Sequence, residues 1–381
     1  MLTSLGCETR RKRLFDRVPN TDWIVISDPA SLVYFASFCP SPFVFNSQGA
    51  AALLVLGRDG SAVLVADNVQ EPFANAAFVT EVVAPVWYRC VESAGHRRSL
   101  LVESASKQVL VRDVKALGYE AASCPAGLIE SLVNTGLRSA LTNVDPAVSD
   151  LRRRKDADEV VALRRAIGAA EVGFDAGLSG ICPGMTELDV YRLICDAAQR
   201  AASCQVLVYG DFVSGPRCEQ GGGPPSSRII EPGDLVLLDF SVVIDGFRGD
   251  FANTFVCCGK ATSRQRELFE ACVDAMRFGE QALRSGVPAK EVDQAVRQRF
   301  KLRDLGQFFP HHTGHGIGLG HPEAPFLVPE SSDTLEVGNV VTIEPGLYVP
   351  GVGGMRYERN YLITETGIET LTNHRITIDQ P

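Results

Sequence analysis

Four acids in the second half of this 381-residue chain, Asp239, Asp250, Glu344 and Glu358, have the type and spacing to converge on cations. Asp239 and Asp250 lie on strand-like runs, Leu235 to Ile244 and Phe247 to Val256, split by Asp245-Gly246, a two-residue hairpin signal. Pairing Ile244 with Phe247 sets Asp239 opposite Ala252 and Asp250 opposite Ser241. The two acids are then diagonal neighbours on one face, about 7–8 Å apart at the backbone. Glu344 precedes a run ending at Val349, and Glu358 follows the start of another at Met355, with Pro350-Gly351-Val352-Gly353-Gly354 between them. Pairing Val349 with Met355 predicts Glu344 opposite Asn360 and Glu358 opposite Gly346, which repeats the diagonal.

An ion-pair network is the plainer reading of these acids, yet the two hairpins offer only Arg248, Arg356 and Arg359 nearby. Four carboxylates on one partly buried face do not all stay ionised without compensation. Two divalent cations resolve that repulsion, and a pair of ions about 3.5–4 Å apart lowers the pKa of a shared water enough for it to act near neutral pH. The segment His311-His312-Thr313-Gly314-His315-Gly316-Ile317-Gly318-Leu319-Gly320-His321 adds four of the six histidines. Its glycines do not follow the G-x-G-x-x-G dinucleotide pattern, and the chain has no H-E-x-x-H zinc motif.

The elements that must carry these groups repeat. Pro183 to Val190 and Ser285 to Val292 each start a helix in the same style, and Ile230 to Asp239 resembles Leu335 to Glu344. The second part therefore reads as two similar halves, each a helix followed by a strand pair, whose strands join into one sheet with helices on its outer face. Upstream, apolar runs such as Trp23 to Ser27, Ala51 to Leu56 and Ser61 to Val65 predict strands between helices. A polar stretch at Asp145 to Lys155 runs into an amphipathic pattern at Val160, Leu163, Ile167, Ala170 and Phe174. A boundary near 150 follows, giving domains 1–150 and 151–381. The basic cluster Arg152 to Lys155 reads as a solvated helix start.

A net charge of −9 argues against contact with nucleic-acid backbones, which takes a basic face. The charged N-terminus and the lack of a run of about 18 apolar residues predict a soluble cytoplasmic protein with no membrane association. Eleven cysteines without a C-x-x-C pair read as reduced thiols; Cys257 and Cys258, adjacent on a strand, point to opposite faces.

The motifs around the acids, LLDF at Asp239, GDFANTF at Asp250, TGHGIGL at His315, TIEPGLY at Glu344 and RYERN at Glu358, resemble those of peptidase family M24, the creatinase, Xaa-Pro aminopeptidase and prolidase group. Glu8 to Leu14 and Ser27 to Tyr34 resemble the same family's N-terminal domain. The resemblance implies an α+β protein: a creatinase-like α/β domain, then a pita-bread metallopeptidase domain with a pseudo-twofold internal repeat. It implies that Asp239 chelates one metal, His315 and Glu344 the other, and that Asp250 and Glu358 bridge both. The cofactor is then two divalent ions per chain, manganese by resemblance, with Co, Fe and Zn equally admitted by one imidazole among oxygen donors.

The activity implied is that of a Xaa-Pro aminopeptidase or dipeptidase acting on small peptides, in a homodimer. Glu344 exchanges protons, His321 stabilises the oxyanion, His311 and Arg356 meet the substrate, and Arg356 also orients Glu358; His312 reads as structural. Two departures from the family pattern stand out. Gly222 occupies the place of a proton-shuttling loop histidine, and His321 lies six residues after His315 where the family has seven. They leave two other readings beside the peptidase: hydrolysis of a small non-peptide amide, and a catalytically inactive binding homologue.

Overall fold

In the computed structural model, which describes residues 2–40, 52–134 and 140–380, the apolar runs of the first part become a six-stranded sheet. Its strands are β1 (Trp23–Ile26), β2 (Leu53–Gly57), β3 (Ala62–Val65), β4 (Glu81–Val83), β5 (Ala116–Tyr119) and β6 (Ala140–Asn143), in the order β4-β3-β2-β1-β5-β6. The strand expected from Ala51 begins at Leu53, and Ala51 itself lies outside the described residues. Helices α1 (Ser4–Arg17), α2 (Pro29–Ala36), α3 (Glu71–Ala74), α4 (Arg97–Leu110), α5 (Ala126–Asn134) and α6 (Asp145–Arg153) complete this part. The parallel pairs β3–β4 and β5–β6 need crossovers, and α3 and α5 supply them. Val25, Val55, Val63 and Leu117 pack with Leu101, Val109, Leu128 and Leu132, each full burial contributing about 1.5–3 kcal/mol.

The chain divides into two compact units, Met1–Arg152 and Arg153–Pro381. The second unit begins with α7 (Ala157–Gly180), α8 (Glu187–Ala202), β7 (Leu207–Ser214), β8 (Leu235–Ile244) and β9 (Phe247–Val256). It continues with α9 (Ser263–Ala282), α10 (Ala289–Lys301), β10 (Gly314–Gly316), β11 (Glu323–Leu327) and β12 (Val340–Ile343). The last strands are β13 (Gly346–Val349), β14 (Gly353–Arg356), β15 (Arg359–Ile363) and β16 (Ile368–Thr370). The two similar sequence segments open α8 and α10. Thr186 starts α8 by accepting the Asp189 N–H while the Asp189 carboxylate accepts the Thr186 N–H, a reciprocal cap whose loss costs about 1 kcal/mol.

Each half has its own core. In the first, Phe174 of α7 and Ile194 of α8 cover Phe212, Phe240, Phe251 and Phe255 of the sheet. In the second, Leu268 and Met276 of α9 and Val292 and Phe300 of α10 pack on Val341, Ile343, Leu347, Met355 and Tyr357. The strands do not merge into the single sheet expected from sequence. They form the ladders β7-β8-β9, β11-β10-β12-β15-β16 and β13-β14; the last two separate where pairing lapses at Pro345, which has no N–H to give.

The first hairpin has the register its turn predicts: Ile244 faces Phe247, Asp239 faces Ala252 and Ser241 faces Asp250. Asp245 and Gly246 both take positive φ, 51° and 84°, as a tight turn matched to strand twist requires. The second hairpin differs from expectation by two residues. Val349 pairs with Gly353 and Leu347 with Met355, and on the far side of the break Ile343 pairs with Arg359 and Thr342 with Asn360. Glu344 and Glu358 thus meet at the break, and neither the predicted Glu344–Asn360 nor the Glu358–Gly346 pairing forms. The cause is Gly353-Gly354: read as turn, it is strand, and Gly354 approaches the Cys218 carbonyl so closely that a Cβ would lie 1.9 Å from its oxygen.

A second correction concerns the basic cluster. Lys155 is not solvated; its side chain is 1% exposed and its ammonium lies 2.7 Å from Glu323. All eleven cysteines are free; Cys257, buried, and Cys258, exposed, lie in the turn after β9 rather than on a strand. No helix among the described residues is long and apolar enough to cross a membrane.

Candidate metal centre

The unbroken ladder of β8 and β9 fixes Asp239 and Asp250, and the broken one delivers Glu344 and Glu358 to the same place. At the break, backbone groups turn to other partners: Glu344 N–H donates to the Thr313 carbonyl at 2.9 Å, and Glu358 N–H to the Ala252 carbonyl at 2.9 Å. The second contact ties Glu358 to the residue that faces Asp239. Asn360 grips the backbone of Asp250 from the other side, its Oδ1 accepting the Asp250 N–H and its amide donating to the Asp250 carbonyl. His315 enters on the short strand β10, its Nδ1 3.0 Å from the Gly316 carbonyl, which leaves Nε2 aimed at the acids.

These groups line a cavity of about 250 Å³ together with Tyr209, Asp211, His312, His321 and Arg356. Two donor triads form within it, Asp239 with Asp250 and Glu358, and His315 with Glu344 and Glu358; the donor atoms of each lie within 4.8 Å of one another. Glu358 is common to both. A third triad, Asp250, His315 and His321, overlaps them. Glu358 Oε1 is buried and has no hydrogen-bond partner among the described residues, a costly state for a carboxylate oxygen that a bound cation relieves.

The electrostatics point the same way. Burial, with Asp250, Asp211 and Glu344 adding, pushes Asp239 up to about 8 against the pull of Arg356. Burial and the other three acids push Glu358 well above the usual carboxylate range. Burial works against ionised Asp250 too, but His321 and then His315 hold it low. For Glu344 the hydrogen bond from His312 and the charge of His315 likewise outweigh burial. Two acids lean neutral and two stay ionised, because protein cations alone do not balance four carboxylates here. The donor set fits divalent metal.

The histidines divide differently from the sequence reading. His311 is half-buried and forms a further donor triad with His312 and Glu344; its Nε2 lies 3.2 Å from the Tyr348 hydroxyl and its Nδ1 2.8 Å from the His312 carbonyl, and burial lowers it to about 4. His312, read as structural, lines the cavity instead, with Nε2 3.1 Å from Glu344 Oε1. That hydrogen bond raises its pKa. His321 lies in the cavity with Nε2 2.7 Å from Asp250 Oδ2, and Asp250 raises its pKa despite burial. Its loop is held by buried Arg248, which donates to the Leu319 carbonyl and to the Tyr209 hydroxyl, and by Glu323, which accepts the Gly320 N–H at 3.0 Å.

Arg356 does not hold Glu358 as expected. Its guanidinium, 11% exposed, pairs with Asp239 and with Asp211, because the β8 and β7 acids sit opposite each other in register and like charges so placed repel. Asp211 escaped the sequence reading. Its signal was there, an acid in the middle of the apolar run Leu207–Ser214.

Residues 161–365 match the model of metallopeptidase family M24. An uncharacterized peptidase of Bacillus subtilis (strain 168) is 32% identical over 322 residues, covering 83% of this chain and 88% of that protein. Among solved structures, a Xaa-Pro dipeptidase from Bacillus anthracis superimposes with a TM-score of 0.83 at 26% identity, covering 99% of both chains. A prolidase from Pyrococcus horikoshii OT3 gives 0.82 at 25%, covering 98% of this chain and 99% of that one. The fold is the pita-bread fold with an N-terminal domain.

Proposed function

The chain belongs to metallopeptidase family M24, and from that premise we propose that it is a Xaa-Pro peptidase, aminopeptidase or dipeptidase, cleaving the amide bond before proline with a dinuclear metal centre. The observation that carries the reading is Glu358, a buried carboxylate shared by two donor triads, whose Oε1 has no hydrogen-bond partner among the described residues. Asp239, Asp250, His315, Glu344 and Glu358 would hold the two ions. Such ions, when bound, supply an activated water and polarise a carbonyl.

The protein's own groups do the rest. Glu344, held ionised by His312 and by the Thr342 hydroxyl at 3.0 Å, is placed to take a proton from the attacking water and return it to the leaving amine. His321, 2.7 Å from Asp250, which raises its pKa despite burial, donates to the oxygen on which charge develops. Arg356 positions Asp239, and His311 and His312, which flank Glu344, present imidazoles to the substrate. Manganese, a homodimer and a cytoplasmic location complete the reading on family resemblance.

The test is an assay of Xaa-Pro dipeptides and tripeptides with Mn, Co, Fe or Zn added singly. Cleavage before proline is expected with at least one ion; no turnover of any peptide with any ion overturns the proposal. Gly222 favours one other reading, a small non-peptide amide as substrate, since no imidazole is offered from that loop.

A further inference from the structure

The wall of the cavity formed by β7 carries a charge that the mechanism above does not use. Asp211 lies on that strand opposite Asp239, next to Gly210, where a Cβ would fall 2.2 Å from the Asp239 carbonyl oxygen. Its carboxylate is held at both oxygens: Oδ1 accepts the Gly223 N–H at 2.8 Å and Oδ2 pairs with Arg356. The glycine loop makes room for it. A Cβ at Gly222, whose φ is +156°, would lie 2.1 Å from Asp211 Oδ2, so a side chain there and this carboxylate exclude one another.

The Asp211–Arg356 pair has a direction. Both groups line the cavity, but the guanidinium is 11% exposed and the carboxylate 30%, so the anion is the more accessible of the two. Each carboxylate oxygen keeps acceptor capacity beyond its one partner. Arg356 also divides its charge between Asp211 and Asp239, leaving Asp211 only partly neutralised.

Building on the peptidase reading, we propose that Asp211 selects substrate by charge: it receives a cationic group, the amino-terminal ammonium of a short peptide, and disfavours a substrate carboxylate at the same place. A fixed carboxylate, already oriented by a backbone N–H and a guanidinium, binds an ammonium without ordering itself at that moment.

The test uses the full-length, manganese-loaded protein and Asp211→Asn, which keeps the acceptor for Gly223. Calorimetric titration compares prolinamide, a monocation, with N-acetylproline, a monoanion, and neutral N-acetylprolinamide. Wild type should bind the cation more tightly than the anion; Asp211→Asn should weaken the cation about tenfold, strengthen the anion and leave the neutral compound unchanged. Equal cation affinity in both proteins overturns the proposal. So does a parallel loss for all three compounds at unchanged metal content and melting temperature, the mark of a residue that merely positions Arg356. If the variant does not fold, anion binding by wild type as tight as cation binding is the overturning result. Should wild type cleave no Xaa-Pro peptide, the peptidase reading fails separately, and n-butylamine against n-butyrate reads the same preference without a proline subsite; no preference for the amine then sinks it.

Discussion

The two hairpins that bring acids to the cavity solve one problem in opposite ways. β8 and β9 pair without interruption over ten residues each, so Asp239 and Asp250 are fixed by the ladder itself. β12, β13, β14 and β15 keep one common register but stop pairing between Ile343 and Gly346 and between Arg356 and Arg359. The gap releases backbone N–H groups, and those of Glu344 and Glu358 bond to Thr313 and Ala252 instead. An intact ladder makes a platform; an interrupted one makes a joint, through which the second half reaches the first.

The largest effect that separates platform from joint is on activity. Glu358→Gln removes the charge and one oxygen of the carboxylate shared by both triads and is expected to lower kcat/KM by more than about 100-fold, beyond what loss of an outer partner costs; metal analysis should find fewer than two ions per chain. Full stoichiometry with normal turnover would contradict the shared-ligand assignment.

Next comes acid stability in the first half. His374 stacks on Phe251 at 4.3 Å and meets Phe174 edge-on, and burial lowers it to about 3. A histidine folded in its neutral form adds stability that is complete above its unfolded pKa of about 6.5. That stability is lost as pH falls from there toward 3, at about 1.4 kcal/mol per pH unit at most. His374→Phe should flatten that limb in denaturant titrations between pH 6.5 and 4; an unchanged slope refutes the assignment.

Smaller effects come from the glycines that shape each hairpin. Gly354→Ala meets the Cys218 carbonyl in the joint and should cost about 1–3 kcal/mol as overpacking, with hydrogen exchange speeding up around Glu344 and Glu358. Gly246→Ala strains a positive-φ turn and should cost about 1–2 kcal/mol, leaving metal content intact. A larger loss at Gly246 than at Gly354 would reverse the comparison.

The same contrast explains what could be read before the structure. Asp245-Gly246 dictates one turn and hence one register, so the placement of Asp239 and Asp250 followed from local chemistry. Gly353-Gly354 fits a turn or a close-packed strand equally well, and only the distant Cys218 carbonyl decides between them. Lys155 looked solvated because its partner, Glu323, is remote in sequence. His312 read as structural because its irregular segment has no periodicity to say that it, too, faces Glu344. Asp211 was legible as an acid in an apolar strand, but its meaning depended on Arg356, 145 positions away.

The clasp of Asn360 on Asp250 joins positions 110 apart, and that sets a timetable. The β8–β9 hairpin closes a two-residue loop and can zip early, whereas closing the larger loop carries more entropy and waits for the rest. During synthesis, domains fold from the N-terminal end as the chain lengthens. A chain cut short before β15 would keep Asp239 and Asp250 on β8 and β9 but lack the Asn360 clasp on Asp250.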